Sequence, residues 1–416
     1  MNRFFQRVYG TVAVMVYAIA ATCSFSACSD NDDAPPPPHP YAESRTVMVY
    51  MVAENSLASN AASDIREMLE GMNNDSLYAG DKLVIYLDDM DMPRIYVIDK
   101  TTKKSALSDL EPDMMFDEVN SSSSTQLATF IDYAETHCHA DSYGLVLWSH
   151  ASGWLPSSYG GDQNRGEYSR RKTFGVDNGR NTSSNQGHQM NIDDMADALA
   201  DVLNGETLDF LFFDACSMQN IEVAYELRKI TKYLIASPAE IPALGANYKT
   251  MTKAMFRKDD YVERMLSAYD MEYRDSYGLV ISAVNTSELK DFTAYMKEVV
   301  WAHKSEMLAL NTSSMLNYLH YGEWRNDLPD FLDMQSIMLN VLSEDEFAEW
   351  KTEADKVFSC KHAGRWYSIY KRRNEIDDAQ CCGVSMFIPF NKYASKSFNA
   401  DYYKTYWAKA VWLMSE

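Results

Sequence analysis

Short apolar segments alternate with amphipathic segments through the middle of the chain, and together they predict an α/β fold. Almost uninterrupted apolar runs are typical of strands buried on both faces of a parallel sheet. Segments with apolar residues three and four positions apart predict helices that cover such a sheet. The predicted strands are Thr46–Val52, Lys82–Leu87, Arg94–Ile98, Tyr143–Ser149, Leu208–Phe213, Tyr233–Ser237 and Gly278–Asn285, and the predicted helices are Leu57–Gly71, Thr125–Cys138, Ile192–Leu203, Ile221–Lys229 and Asp260–Tyr273.

Longer helical segments follow residue 286, so we predict a core over residues 46–286 and a mainly helical C-terminal region over residues 287–416. The core is interrupted by a long polar segment, Ala151–Met190, and loops of this length are usually functional or mobile. The C-terminal region is predicted to contain the helices Leu289–His303, Phe331–Val341, Glu344–Phe358 and Tyr402–Leu413 and the strands Arg365–Tyr370 and Gly383–Phe387.

Residues 1–27 have the pattern of an export signal. Two arginines precede Val8–Ala21, an apolar stretch that is too short to span a bilayer. The residues Phe25–Cys28 resemble a bacterial lipobox with Phe in place of the more usual Leu, which would put a lipid on Cys28. Residues 28–45 then form an acidic, proline-rich linker. We therefore predict an exported bacterial lipoprotein of the outer membrane or cell surface, attached to the membrane through Cys28.

The composition limits the classes of binding partner that this chain can have. The net charge of −22 argues against a nucleic-acid partner, because a phosphate backbone requires a basic surface. The negative charge is compatible with cationic substrates or Ca²⁺, but taken alone it is better explained by a solvated acidic surface. Five cysteines remain in the mature chain, so at least one thiol is unpaired. Cys360 could pair with Cys381 or Cys382, and a zinc site there is disfavoured because adjacent cysteines do not match the usual ligand spacing.

Two predicted strands end beside residues that could perform chemistry together, His150 and Cys216. Alone, the cysteine is more typical of a buried thiol and the histidine of a hydrogen-bonded structural residue. In open α/β sheets, however, ligands bind outside the carboxyl ends of the strands. If the two strands are neighbours, about 4.8 Å apart, both side chains face one cleft and the imidazole can serve the thiol as base and acid.

The two motifs together resemble the clostripain family of cysteine peptidases, relatives of the caspases and gingipains. The resemblance covers roughly residues 46–256 and implies a caspase-like α/β/α sandwich with a mostly parallel central sheet. It is carried by Leu147–Trp154 (LWSHASGW), Phe213–Met218 (FDACSM), Met48–Leu57, Ile221–Leu227 and Ser237–Glu240, with Gly383–Pro389 similar to a late strand of the family.

The resemblance implies that Cys216 attacks the scissile carbonyl and that His150 protonates the leaving amine. Asp214 matches an acidic residue of the family's S1 pocket, where it would pair with a P1 Arg or Lys, although a turn or capping carboxylate explains it equally well. Glu240 is the second candidate acid of that pocket. Backbone N–H groups of Ala151 and Cys216 would hold the oxyanion.

Three features modify this expectation. Relatives usually have Gly after the histidine, and Ala151 would strain that loop if the position requires a positive φ. Family members often cut themselves between the two motifs, and the candidate sites here are Arg170, Arg171 and Lys172. The chemistry requires no cofactor. Some relatives need Ca²⁺, which the acidic turns Asp88–Asp91 and Asp193–Asp194 could bind without an EF-hand loop.

The sequence therefore predicts a lipid-anchored cysteine endopeptidase that cleaves peptide or protein substrates after Arg or Lys. The alternative is a catalytically inactive homologue that binds peptides or glycans at the cell surface, which Ala151 and the aromatic C-terminal tail would suit.

Overall fold

The computed structural model describes residues 44–156, 173–179, 188–273, 276–318, 329–368 and 374–413. The strands are β1 Arg45–Val52, β2 Lys82–Asp88, β3 Arg94–Asp99, β4 Met114–Met115, β5 Ser142–Trp148, β6 Phe174–Asp177, β7 His188–Met190, β8 Phe210–Asp214, β9 Tyr233–Ala236, β10 Val280–Asn285, β11 Leu332–Asp333, β12 Phe358–His362 and β13 Ser385–Met386. The helices are α1 Ala58–Met72, α2 Ser124–His137, α3 Ile192–Leu203, α4 Ile221–Glu226, α5 Tyr248–Met255, α6 Tyr261–Tyr273, α7 Leu289–Ala302, α8 Lys304–Leu308, α9 Met334–Val341, α10 Glu344–Val357, α11 Ser397–Tyr402 and α12 Tyr406–Val411.

Within the described residues, one sheet joins nine strands in the order β12-β10-β9-β8-β5-β1-β2-β3-β4. The interior strands from β9 to β2 all pair in parallel, as the apolar runs predict. Both edges are antiparallel: β3 and β4 continue from β2, and β10 and β12 continue from β9. A parallel interior needs crossover connections, whereas β3 returns from β2 through a short turn.

The sheet separates two apolar layers, which confirms the predicted α/β/α sandwich. Alternate residues of β1 enter opposite layers, because successive side chains of a strand point to opposite faces. Helices α1, α5 and α6 cover one face. Helices α2, α3 and α4 cover the other face, together with α7, α9, α10 and α12. None of the described helices has the length and apolar character needed to cross a membrane.

The C-terminal region packs against this second face and also extends the sheet through β12. The described part of residues 41–416 forms one compact unit, and the division at residue 286 stays a prediction. The predicted strand Arg365–Tyr370 is wrong in its described part, where Arg365 forms only a single bridge to Glu375. The predicted closing helix is shortened to α12, and β13 is shorter than the predicted strand Gly383–Phe387.

A buried arginine holds the amino ends of the central strands together. Arg45, at the start of β1, donates to Asp209 Oδ2 at 2.6 Å, just before β8. It also donates to the carbonyl oxygens of Met255, the last residue of α5, and of Arg257, two residues further on. Burial alone would raise the pKa of Asp209, but Lys232 and Arg45 together lower it below its ordinary value. This network fixes where β8 begins relative to β1.

Candidate active site

The pairing of β5 with β8 brings the two chemical residues to the same place. These strands are parallel neighbours, and Trp148 lies opposite Asp214 at the end of the ladder. His150 and Cys216 each follow that pair by two residues, so they leave the sheet at the same edge. Neighbouring strands are about 4.8 Å apart, and residues two positions apart share a face. The structure therefore places His150 and Cys216, both half-buried, at the same edge of the sheet.

His150 is held between the loop after β1 and strand β6. The hydroxyl of Ser56 lies 2.9 Å from His150 Nε2. The carbonyl oxygen of His150 accepts a hydrogen bond from the N–H of Gly175 at 2.9 Å. Ser152 donates its N–H to the carbonyl of Thr173, so the chain on both sides of Ala151 is tied to β6. Strand β6 and its partner β7 lie within the segment that the sequence suggested was an irregular polar loop.

The backbone at Ala151 does not have the positive φ that would strain an alanine. Among described non-glycine residues, only Asn204 and Ser217 have positive φ, so Ala151 does not. Ala151 forms an antiparallel bridge with Phe174 through its neighbours' hydrogen bonds. In such a pair the central N–H points away from the partner strand, here away from β6. The positive φ, +78°, belongs instead to Gly153.

Cys216 sits on a sharp turn at the end of β8. The next residue, Ser217, has φ of +59°, which is uncommon for a residue with a side chain. Its N–H is fixed by the carbonyl of Ala239 at 2.8 Å. The thiol sulfur of Cys216 accepts a hydrogen bond from the N–H of Ile241 at 3.4 Å. The turn and the segment after β9 thus present the thiol at the edge of the sheet.

A pair of buried carboxylates lies beneath the thiol and the imidazole. Asp214 accepts hydrogen bonds from the N–H of Ala246 at 3.0 Å and from the hydroxyls of Tyr248 at 2.9 Å and Tyr269 at 3.2 Å. Burial raises the pKa of Asp214, although these hydrogen bonds lower it in part. Asp64 of α1 accepts the indole N–H of Trp148 at 2.8 Å. Burial, and then the charge of Asp214, raise the pKa of Asp64 to about 9.

Glu240 lies closer to the surface than this pair. It directly precedes Ile241, whose N–H contacts the thiol, and it is only half-buried. Burial raises the pKa of Tyr367, and the charges of Glu240 and Cys216 raise it further, so the three groups are neighbours. The ring of Tyr367 packs edge-on against Tyr277, with centroids 5.7 Å apart. Tyr367 is therefore an aromatic neighbour of the thiol, and Tyr277 packs behind it.

Sequence reasoning missed Asp64, Tyr248, Tyr269 and Tyr367. One signal for Asp64 was available, because it occupies the apolar face of α1 between Ala61 and Met68. A carboxylate there is buried and requires partners. The tyrosines gave no comparable signal, since aromatic residues are common throughout the core.

Several predicted residues lie outside the part of the chain that the structure describes, and others occupy different places in the fold. Cys28, Arg170, Arg171 and Lys172 lie outside the described residues. The five cysteines of the described chain are all free thiols, and the sulfur of Cys360 lies beside Cys381. Asp193 and Asp194 occupy the first turn of α3, where acidic side chains stabilise the helix dipole.

Comparisons with known proteins show which proteins this chain is similar to. The family model described as the clostripain family matches residues 49–414. Clostripain of Hathewaya histolytica is 24% identical over 200 residues, which are 44% of this chain and 36% of that protein. The match thus spans about a third of that relative's length.

Two solved structures are similar over most of their length. An inactive zymogen of a C11 protease from Parabacteroides distasonis is 26% identical, with a TM-score of 0.71 and coverage of 91% of this chain and 99% of that chain. A secreted C11 cysteine protease from Bacteroides thetaiotaomicron, in complex with an irreversible peptide inhibitor, is 27% identical, with a TM-score of 0.70 and coverage of 88% and 98%.

Gly153, rather than residue 151, should be the position that requires glycine. A Cβ at Gly153 would lie 2.3 Å from Asn220 Oδ1 and 2.8 Å from the carbonyl oxygen of Ser217, at a positive φ. We expect Gly153→Ala to lower the free energy of unfolding by about 1–3 kcal/mol. The control Ala151→Gly should change it by less than about 1 kcal/mol. Urea denaturation of the two variants measures both, and equal losses would contradict this assignment.

Proposed function

This chain belongs to the clostripain family of cysteine peptidases, and from that premise we propose that Cys216 and His150 are its catalytic pair. The observation that carries the proposal is the register of β5 and β8, which ends both strands at one edge two residues before each side chain. The caspase-like sandwich supports it, because ligands of such sheets bind at the carboxyl ends of the strands.

In the proposed mechanism the thiolate of Cys216 attacks the scissile carbonyl carbon. The oxyanion that forms would accept the backbone N–H of Cys216 and the N–H of Ala151, which points away from β6. His150 then protonates the leaving amine, and the C–N bond breaks to give a thioester. A water molecule, deprotonated by His150, hydrolyses the thioester and restores the thiol. Ser56, 2.9 Å from Nε2, would hold the imidazole in orientation.

The carboxylates beneath the pair support a preference for a basic P1 side chain. Asp214 lies two residues before Cys216 on the same face, and Asp64 adjoins it. A guanidinium inserted between the thiol and the two carboxyl groups would stabilise their ionised form, which burial disfavours. Planar bidentate hydrogen bonding favours Arg over Lys. Glu240 would add negative charge at the rim of the same S1 pocket.

We also propose that the protein is exported, carries a lipid on Cys28 and cuts itself within residues 151–190. The signal and lipobox pattern supports the first two steps. Basic residues Arg170, Arg171 and Lys172, on the chain between His150 and Cys216, support the third, since they offer the proposed P1 chemistry.

Fluorogenic peptides that differ only at P1 test the reaction and its specificity. The full chain, purified in mild detergent, should turn over P1 Arg at least as fast as P1 Lys, and both roughly a hundredfold faster than P1 Ala. Cys216→Ala should reduce kcat/KM by about 10⁴-fold or more. Asp214→Asn keeps the shape but removes the charge, and should reduce kcat/KM for Arg by about 10- to 100-fold. Glu240→Gln, at the rim, is the matched control and should have a smaller effect.

Two results would count against these assignments. Wild-type inactivity towards all peptides, with and without reductant and Ca²⁺, would favour the inactive, ligand-binding alternative. Unchanged P1 selectivity in Asp214→Asn would leave the peptidase assignment intact but remove Asp214 from the S1 pocket.

N-terminal sequencing of the purified chain tests self-cleavage. Wild type should be cut after Arg170, Arg171 or Lys172, and Cys216→Ala should remain intact because cleavage requires the thiol. Changing all three basic residues to Gln should also prevent the cut. Equal nicking of wild type and Cys216→Ala would mean that another protease is responsible.

Metabolic labelling with a clickable fatty acid tests the anchor. The wild-type chain should incorporate label and partition into the detergent phase, whereas Cys28→Ala should do neither. Cys23→Ala, a cysteine inside the signal, is the control and should be labelled normally. Labelling that persists in Cys28→Ala would show that the lipid is elsewhere or absent from this motif.

A further inference from the structure

Three cysteines meet where the C-terminal region joins the edge of the sheet. Cys360 lies on β12, an edge strand of the described sheet, and Cys381 and Cys382 directly follow the short helical turn Asp378–Gln380. Cys381 and Cys382 are buried, and the half-buried Cys360 packs against the same apolar cluster. The proposed peptidase chemistry uses none of these thiols.

The backbone brings the segment around Gly383 directly onto Cys360. Ser282 of β10 pairs with Cys360 across the ladder, and its hydroxyl donates to the carbonyl oxygen of Gly383 at 2.6 Å. A Cβ at Gly383 would lie 2.5 Å from the sulfur of Cys360, so only glycine fits there. A hydrogen bond with the thiol of Cys381, followed by burial, raises the pKa of Cys360 well above its ordinary value. The sulfurs of Cys360 and Cys381 are therefore in contact.

The third thiol, that of Cys382, is engaged elsewhere. The backbone at Cys381 is extended, with φ of −118° and ψ of 116°, so the side chains of Cys381 and Cys382 leave the chain in opposite directions. The sulfur of Cys382 lies 3.3 Å from Asp333 Oδ1. The sulfur of Cys381 instead lies 3.5 Å from the hydroxyl of Tyr318. Of the two adjacent cysteines, Cys381 is thus the partner that Cys360 meets.

We propose that Cys360 and Cys381 are an oxidation site and form a disulfide bond under oxidising conditions. The thiolate of one cysteine attacks the disulfide of an oxidant, either a small molecule or a protein, and releases one thiol of that oxidant. The second cysteine attacks the resulting mixed disulfide and releases the other thiol. Two electrons thus pass from the two cysteines to the oxidant, and the two protons of their thiols pass to the thiols that are released. Because the pair is largely enclosed in the folded chain, the exchange takes place as the chain folds.

The surroundings of the pair favour a structural disulfide over a reactive one. Reactive dithiols contain a thiolate that a cation or a helix N-terminus stabilises. Here the pKa of Cys360 is raised, and the carboxyl group of Asp333 raises it further. The reduced form gains nothing from ionisation at this place, so the disulfide should resist reduction.

The bond would tie β12 to a segment that supports the candidate active site. Ser385, close to the cysteines in sequence, donates its N–H to the carbonyl oxygen of Gln219 at 3.0 Å. The hydroxyl of Ser385 accepts the side-chain amide of Asn220 at 2.7 Å, and the side-chain oxygen of Asn220 accepts the N–H of Trp154 at 3.1 Å. The segment therefore contacts the chain that follows each residue of the proposed catalytic pair. The pairing of the two sulfurs does not depend on peptidase activity.

The test is peptide mapping of the full chain, purified in mild detergent and equilibrated with reduced and oxidised glutathione. After alkylation of the remaining thiols, trypsin should leave peptide 357–361, which contains Cys360, joined to peptide 374–392, which contains Cys381 and Cys382. Reduction should separate the two peptides. Fragmentation of the joined peptide should place the bond on Cys381 and the alkyl group on Cys382.

The adjacent cysteines provide a matched pair of variants. Cys381→Ser should abolish the joined peptide, whereas Cys382→Ser should retain it. The oxidised wild type should also unfold a few degrees above the reduced wild type, because a bond that closes a loop of about 20 residues restricts the unfolded chain. This difference in Tm should disappear in Cys381→Ser and persist in Cys382→Ser.

Three results would overturn the proposal. The first is wild-type protein that forms no joined peptide in excess oxidised glutathione, and the second is a bond that fragmentation assigns to Cys382. The third is a wild-type Tm that reduction does not change. Should Cys382→Ser fail to fold, fragmentation of the wild-type peptide still decides between the two cysteines.

Discussion

The alignment of β5 with β8 is the constraint on which the candidate site depends. Trp148 pairs with Asp214, and two further residues along each strand place His150 and Cys216 at one edge. A slip of one residue would turn either side chain to the opposite face of the sheet. The ends of these strands are also tied to their surroundings: Arg45 of β1 binds Asp209 just before β8, and Trp148 at the end of β5 donates to Asp64 of α1.

Buried acidic side chains are the second main feature of this structure. Asp64 and Asp214 lie beneath the thiol, and their pKa values are raised chiefly by burial. Tyrosine hydroxyls and a backbone amide solvate Asp214, but no cation does so among the groups that shift its pKa. Burial favours the neutral form of such acids until a positive ligand binds, and perturbed acids in a cleft are typical of functional sites. A basic substrate side chain would supply that charge only during binding.

The sequence predicts those parts of the architecture that are marked by a residue pattern within one segment. Apolar runs locate the interior strands, and a polar break after each run locates His150 and Cys216. The hairpin of β6 and β7 escaped prediction because its strands are short and lie in a polar segment; β6 is recognisable only by its contacts with His150 and Ala151. Asp64 and Tyr248 escaped because their role arises from contacts with Asp214 across long sequence separations, and periodicity within one segment cannot reveal such partners.

The two halves of the proposed catalytic pair are supported by different parts of the fold. His150 is held through its imidazole by the loop after β1 and through its backbone carbonyl by β6, whereas the thiol is held by the segment after β9. The proposed self-cleavage falls between Leu155 and Thr173, within the first of these supports. Thr173 donates its hydroxyl to the carbonyl of Leu155 at 3.1 Å and accepts the N–H of Ser152, so the chain is bonded across the cut. A cut there would therefore loosen the residues between Leu155 and Thr173 but would not release β6, the strand that positions His150.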